Sequence, residues 1–295
     1  MRHRSTVVLF ALFLAGLGVL WWADYAKVRT RKEQQELLNR LIPELVDTPL
    51  NEVRRIEVDP GPGAPEGAKP IVVERREGGS WQMTRPTDTA ADANLVETLA
   101  RNLKELRKSA DAGTIHGDPT PYGLDKPAAT VKVFGVPAKG EAAGRPLATL
   151  DVGKKDGKRL YVRPGGDSGI EVVDAVLLEA LTSPPTRWRD TALFRIPSFR
   201  VGEVAVREPN AGREIDLRRD ERHWRIAKPI QAPADNDKAE GLVAELSALH
   251  VADGFDGFVK DDVRGEGLAA YGVYKPSMTV TVTPLQGGGS PQTLA

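Results

Sequence analysis

The residues best suited to acid–base or metal chemistry near neutral pH are the four histidines, His3, His116, His223 and His250. None of them stands in an HxH or HxxxH spacing, so no metal site is expected. The chain has no cysteine, which removes disulfides, thiol catalysis and thiolate-held metals. His116 and Asp118 could form an acid–base pair, but in a Gly/Pro loop an Asp more often closes a turn. His223 precedes Trp224 on the opposite face of a strand and should face solvent. GxSxG, GxxxxGK[ST] and a strand-linked GxGxxG are missing, and Gly165-Gly166 and Gly287-Gly288-Gly289 read as turn or linker glycines. No catalytic residue and no cofactor are expected, and the chain reads as a non-enzyme.

Binding chemistry then falls to the aromatic residues. Trp81 and Trp224 could stack on a ligand such as a glycan, although a Trp at a strand end near a Pro is more commonly core. Tyr122 and Tyr271 each precede a Gly, with a Pro soon after. Such a loop is a rigid turn, with Gly free to take positive φ and Pro setting an extended exit, or else a binding loop. Trp81, Trp224, Tyr122 and Tyr271 are the four candidate binding residues. Arg187-Trp188-Arg189-Asp190 could make a cation–π or ion-pair corner, structural by default.

What positions these residues is an internal duplication. Trp81–Leu106 and Trp224–Leu249 match at Trp81/Trp224, Pro86/Pro229, Asp92/Asp235, Leu99/Leu242, Leu103/Leu246 and Leu106/Leu249. The tyrosine loop YGLDKP at Tyr122 returns as YGVYKP at Tyr271, after an insertion around Asp253–Leu268. In each copy, alternating segments (Val53–Val58, Ile71–Arg76 and Trp81–Met83, then Val204–Val206, Ile215–Arg219 and Trp224 onward) predict strands. Asp92 and Asp235 precede Leu-striped runs and predict helix N-caps. The first copy goes on through strands at Thr130–Phe134, Leu147–Val152, Arg159–Val162 and Ile170–Val172 and a short helix at Asp174–Leu181. In the second copy only Met278–Thr283 follows, and a truncated repeat is expected. The predicted fold class is α+β: two tandem repeats, residues 50–196 and 197–295, each an antiparallel twisted sheet with one main packed helix.

Composition bounds the partners. The 295 residues leave room for two domains, and 40% hydrophobic with 28% charged residues is ordinary for folded protein. Lys plus Arg and Asp plus Glu both number 41, so no basic field points to nucleic acid.

The N-terminus carries a different signal. Val7–Ala23 is an uncharged apolar run between Arg2/Arg4 and the aromatic cluster Trp21, Trp22 and Tyr25. It predicts a retained transmembrane anchor over residues 1–25. The competing reading, a cleaved signal peptide, needs a small-x-small site that WWADYAKV supplies poorly. Positive charge after the span (Lys27, Arg29, Arg31 and Lys32) favours a cytoplasmic C-terminal side, whereas the short leader and folded bulk favour an extracytoplasmic one. The latter is expected. Residues 26–49 predict an amphipathic juxtamembrane helix and linker, with Leu37, Leu38, Leu41 and Ile42 on one stripe before Pro43.

W-x-[MI]-x-x-P, the following Ala-Asp that opens a Leu-striped helix, YGLDKP, LDVGKK and the R-x-x-x-L-F corner at Arg189–Phe194 together resemble domain-of-unknown-function family 4340 of bacteria. The resemblance runs from about Leu50 onward in two copies, and YGVYKP departs from it. It implies a protein anchored in a bacterial inner membrane with its bulk in the periplasm, associated with ABC-type transport or gliding-motility systems, with no catalytic residue to carry over. The expected function is an accessory subunit that binds an ABC-type permease, its ATPase or other envelope proteins. The alternative is an envelope module that binds glycan or peptidoglycan.

Overall fold

The computed structural model describes residues 37–109, 112–136, 144–165, 169–181, 183–221, 223–252, 254–285 and 289–295. The expected anchor at Val7–Ala23 and most of the amphipathic segment 28–42 lie outside these residues. Among the described residues no helix is long and apolar enough to cross a membrane. The described end of the amphipathic segment is helical only at Leu37 and Leu38, and at Arg40 it forms an extended bridge with Arg107.

The α+β class is overturned, because the described chain is mostly β. One antiparallel sheet contains β1 (Arg55–Pro60), β2 (Ile71–Arg75), β3 (Trp81–Arg85), β4 (Thr89–Ala90), β5 (Ala129–Phe134), β6 (Ala148–Asp156), β7 (Arg159–Pro164) and β8 (Glu171–Asp174). Their order is β4-β3-β2-β1-β5-β6-β7-β8. The other contains β9 (Val201–Glu208), β10 (Arg213–Asp220), β11 (His223–Lys228), β12 (Ala232–Pro233), β13 (Thr279–Pro284) and β14 (Gln292–Leu294), ordered β12-β11-β10-β9-β13-β14. Against these strands the described residues hold only three α-helices: α1 (Ala93–Glu105), α2 (Val176–Leu181) and α3 (Asn236–Ser247). The reason is one of proportion. The Leu stripe dictates a single helix of three to four turns per repeat, and nearly every other apolar residue alternates with period two.

The described residues divide into two compact units, those within 37–70 and 97–182 and those within 71–96 and 183–295. In the first, β1 and β5 interleave valine and isoleucine on one face, with Ile56 opposite Val133 and Val58 opposite Val131. In the second, Trp224, Phe194, Ile196, Val201, Val204, Val282 and the α3 residues Ala239 and Val243 form one core.

The duplication holds in three dimensions down to single hydrogen bonds. Ala91 N donates to the Trp81 carbonyl and Ala234 N to the Trp224 carbonyl, each at 3.0 Å. The Arg75 guanidinium lies 4.5 Å from the Trp81 ring centroid, and Arg219 lies 5.0 Å from that of Trp224. Each arginine is the cross-strand partner of its tryptophan. Arg85-Pro86 and Lys228-Pro229 are both cis. Asp92 caps α1 by accepting from Asn94 N and Leu95 N, and Asp235 caps α3 by accepting from Lys238 N.

Candidate interaction site

Two of the four candidate aromatics are interior. Trp81 is 2% exposed and Trp224 1%. The Trp224 indole N–H donates to Glu240 Oε1 at 2.9 Å, so its polar edge is satisfied inside the protein. The tyrosines differ from each other. Tyr122 is half-buried with its ring centroid 4.8 Å from that of Tyr161, whereas Tyr271 is exposed. In both loops the glycine after the tyrosine has positive φ, 68° at Gly123 and 74° at Gly272.

Asp118, just before the first tyrosine loop, is committed to local structure. The Asp118 carboxylate accepts from Thr120 N at 3.0 Å and Thr120 Oγ1 at 2.7 Å, which makes it a turn residue rather than a base for His116. These bonds, the backbone one first, hold its carboxyl below the usual carboxylate range. Whatever this contributes to stability is present above that range and is lost as pH falls through the lowered value. Thr120→Val keeps the backbone donor and removes the hydroxyl, so NMR titration should find the Asp118 value raised only part of the way back. A value unchanged by Thr120→Val would show that the hydroxyl bond contributes nothing.

Arg189, from the Arg-Trp-Arg-Asp corner, is buried. Its Nη2 donates to Asp261 Oδ2 at 2.7 Å, and its guanidinium lies 4.8 Å from the Phe258 ring centroid. Both partners belong to the inserted segment of the second repeat. Asp190 accepts from Ala192 N at 2.9 Å and from Arg195 Nε at 2.6 Å. These contacts tie the corner to the inserted segment and to the residues that follow it, and they assemble no nucleophile with a base. Among the described residues no group of three or more His, Asp or Glu side chains is placed to hold a metal ion.

A groove of about 1120 Å³ lies in the first unit. One wall is the segment with Leu37, Leu38, Leu41 and Ile42, and the other includes Leu147, Thr149 and Pro164 of the sheet. The walls are held by backbone bonds: Leu41 N to the Leu106 carbonyl at 2.9 Å, Lys108 N to the Asn39 carbonyl at 3.0 Å and Ser109 N to the Val172 carbonyl at 3.0 Å. At the base of the groove the buried Glu171 carboxylate takes Lys108 Nζ at 2.8 Å and Thr114 Oγ1 at 2.8 Å. A buried carboxylate persists only with such partners. The rim carries an unsatisfied apolar side chain, Leu38, at 76% exposure. Such a surface suits an apolar protein segment with one or two polar anchors.

Sequence reading did not single out Lys108, Thr114 or Glu171. The available signal was the charge within Ile170-Glu171-Val172-Val173, where a strand buried on both faces should be wholly apolar. A smaller, polar cavity of about 420 Å³ is lined by His116, Asp151 and Arg163. There Asp151 already accepts from Thr130 Oγ1 at 2.8 Å and Arg163 Nη2 at 3.0 Å.

The family model described as "Domain of unknown function (DUF4340)" matches residues 81–253 and again 224–295. The two matches begin at Trp81 and Trp224, the residues that open the two copies of the duplicated stretch. The chain belongs to the DUF4340 family. No curated protein and no solved structure matches it. The first DUF4340 match runs from Trp81 past α3, so the family unit is longer than one repeat and includes the Trp–Pro–Asp stretch at both of its ends.

Proposed function

We propose that the chain is a non-enzymatic, membrane-anchored accessory subunit of an ABC-type transport or motility complex. It acts through protein–protein contacts of its duplicated extracytoplasmic domains. The groove between the Leu37–Ile42 segment and the first sheet is the observation that supports this reading, because it lies next in sequence to the expected anchor. A membrane-embedded permease is the partner such a position would meet first. Membership of DUF4340 agrees with the reading and adds no activity to it. The glycan alternative loses its two tryptophans to the interior and keeps the half-buried Tyr122 and the exposed Tyr271.

The test is affinity purification of the full chain from gently solubilised, mildly crosslinked membranes, followed by mass spectrometry. A permease or ATPase should be recovered in stoichiometric amount, and Leu38→Glu, which puts a charge on the groove rim, should reduce that recovery at least about tenfold. Recovery of this chain alone would sink the proposal.

A further inference from the structure

An arginine without an acceptor stands in the wall of the apolar groove. Arg40 is half-buried there, in the same short segment as Leu37, Leu38 and Leu41. Its backbone is fixed, because it bridges to Arg107 while Leu41 N donates to the Leu106 carbonyl and Lys108 N to the Asn39 carbonyl. Arg40 Nη1 is buried and has no hydrogen-bond partner among the described residues. A guanidinium stays charged at any pH a protein meets, so this nitrogen keeps its need for an acceptor. A buried donor without one costs free energy, and a charged donor costs more.

The other charges of the groove do not supply that acceptor. Glu171 is taken by Lys108 Nζ and Thr114 Oγ1, both on its Oε1. Arg145, which is exposed, adds a further cation to the wall that carries Leu147. Against Arg40, Lys108 and Arg145 the lining sets two carboxylates, Glu44 and Glu171, so it carries one net positive charge. Between these charges both walls are leucine-rich, and Leu38 stands open at the rim. The complement of such a groove is an apolar chain with one negative charge.

We propose that the groove takes an apolar segment of the membrane-embedded partner that carries one aspartate or glutamate, whose carboxylate accepts from Arg40. This rests on the reading of the chain as an accessory subunit and states the chemistry of its partner. The leucines cover the apolar residues of the segment, and Arg145 draws the same carboxylate from the lip. A guanidinium meets a carboxylate through two parallel bonds, a geometry that a lysine in its place would not reproduce. The pair also selects. A wholly apolar segment would leave Arg40 buried and unpaired, and a basic segment would be repelled. The chain alone bears the cost of the unpartnered nitrogen, and the complex removes it.

The test places a photo-crosslinking amino acid at Leu38 of the full chain in its membrane, with the adduct mapped by mass spectrometry after gentle solubilisation. The adduct is expected in an apolar partner segment that holds an aspartate or glutamate. Arg40→Met should lower partner recovery at least about tenfold, and Arg145→Gln by a smaller factor that vanishes at high salt. Arg40→Glu should abolish recovery, and arginine in place of the partner's acidic residue should restore it. Methionine keeps the apolar stem of Arg40 and removes only the unpartnered head. The melting midpoint of the purified chain should therefore be unchanged or raised by Arg40→Met. A lowered midpoint would show that Arg40 serves the fold, and would overturn the inference. Stoichiometric recovery indifferent to Arg40→Met would overturn it and leave the accessory-subunit reading standing, whereas recovery of this chain alone would overturn both. An adduct with lipid instead of protein would overturn it in favour of an anionic lipid.

Discussion

Trp224→Ala is expected to cost about 3–5 kcal/mol of stability, a large part of what a single domain has in hand. The ring is enclosed by the Phe194–Val201–Val204–Val282 core and by Val243 of α3. Truncation therefore removes apolar contact and leaves a cavity between sheet and helix. It also removes two side-chain contacts: the indole N–H no longer reaches Glu240, and Arg219 loses the ring it stacks on, although these two remain paired with each other. The Trp224 backbone N–H to Asn236 Oδ1, at 2.7 Å, survives the change, so β11 keeps its tie to α3. Urea unfolding followed by far-ultraviolet circular dichroism measures the effect free of the lost fluorophore. Trp224→Phe should recover most of the difference. An unchanged midpoint for Trp224→Ala would show that the ring faces a ligand site rather than the core.

That the same arrangement occurs around Trp81 explains why the duplication was legible in sequence. Tryptophan, the proline that follows its strand and the aspartate that caps the next helix each have few substitutes for their physical role. A second copy therefore keeps them at fixed spacing, and their hydrogen bonds recur in the structure. The fold class was less legible. The Leu stripe of α1 is a long periodic signal, whereas β4 and β12 contribute two residues each and β14 three. Segments that short carry too little alternation to be counted, so helix was overweighted and sheet underweighted. Alternation also fails within a longer strand: in β10 the carboxylate of Asp216 is buried while Ile215 beside it is exposed. A bulge between Asp216 and Leu217 breaks the alternation there.

The candidate sites divide along the same line. The tyrosine loops are nearly identical in sequence and share their backbone turn, but their exposure is decided by what lies over them. In the first repeat that cover comes from Gly153, Tyr161 and Arg163, residues of a hairpin well downstream of the loop. No local pattern reports such a contact. Lys108 and Glu171 meet in the groove for a similar reason, since the strand order of the sheet and the bridge from Arg40 to Arg107 bring them together. The odd charge in an apolar strand was the one signal that pointed to Glu171, it was not used, and only the topology names its partner.

The bulge in β10 leads to the second large effect. Arg207→Leu is expected to lower stability by about 2–3 kcal/mol, and adding Asp216→Val should restore most of it. Asp216 pairs with Lys228, the residue before one cis proline, and Val72 pairs with Arg85, the residue before the other. The two repeats thus place a carboxylate and a valine at one buried position. Valine needs no partner there. Asp216 accepts from Arg207 Nη1, with Lys228 Nζ 3.8 Å from its other oxygen. Removing Arg207 leaves the carboxylate buried with only that distant ammonium, and the cost is mainly the desolvation of an under-paired charge. The effect falls short of a full buried-pair loss because Lys228 remains and water reaches the half-exposed Arg207 position. Asp216→Val removes the charge itself and copies the solution already used by the first repeat, so the double variant should approach the parent in denaturant midpoint. If Asp216→Val fails to rescue Arg207→Leu, then Arg207 stabilises β9 through Glu214, which it also meets at 2.8 Å, and the buried carboxylate is not the source of the penalty.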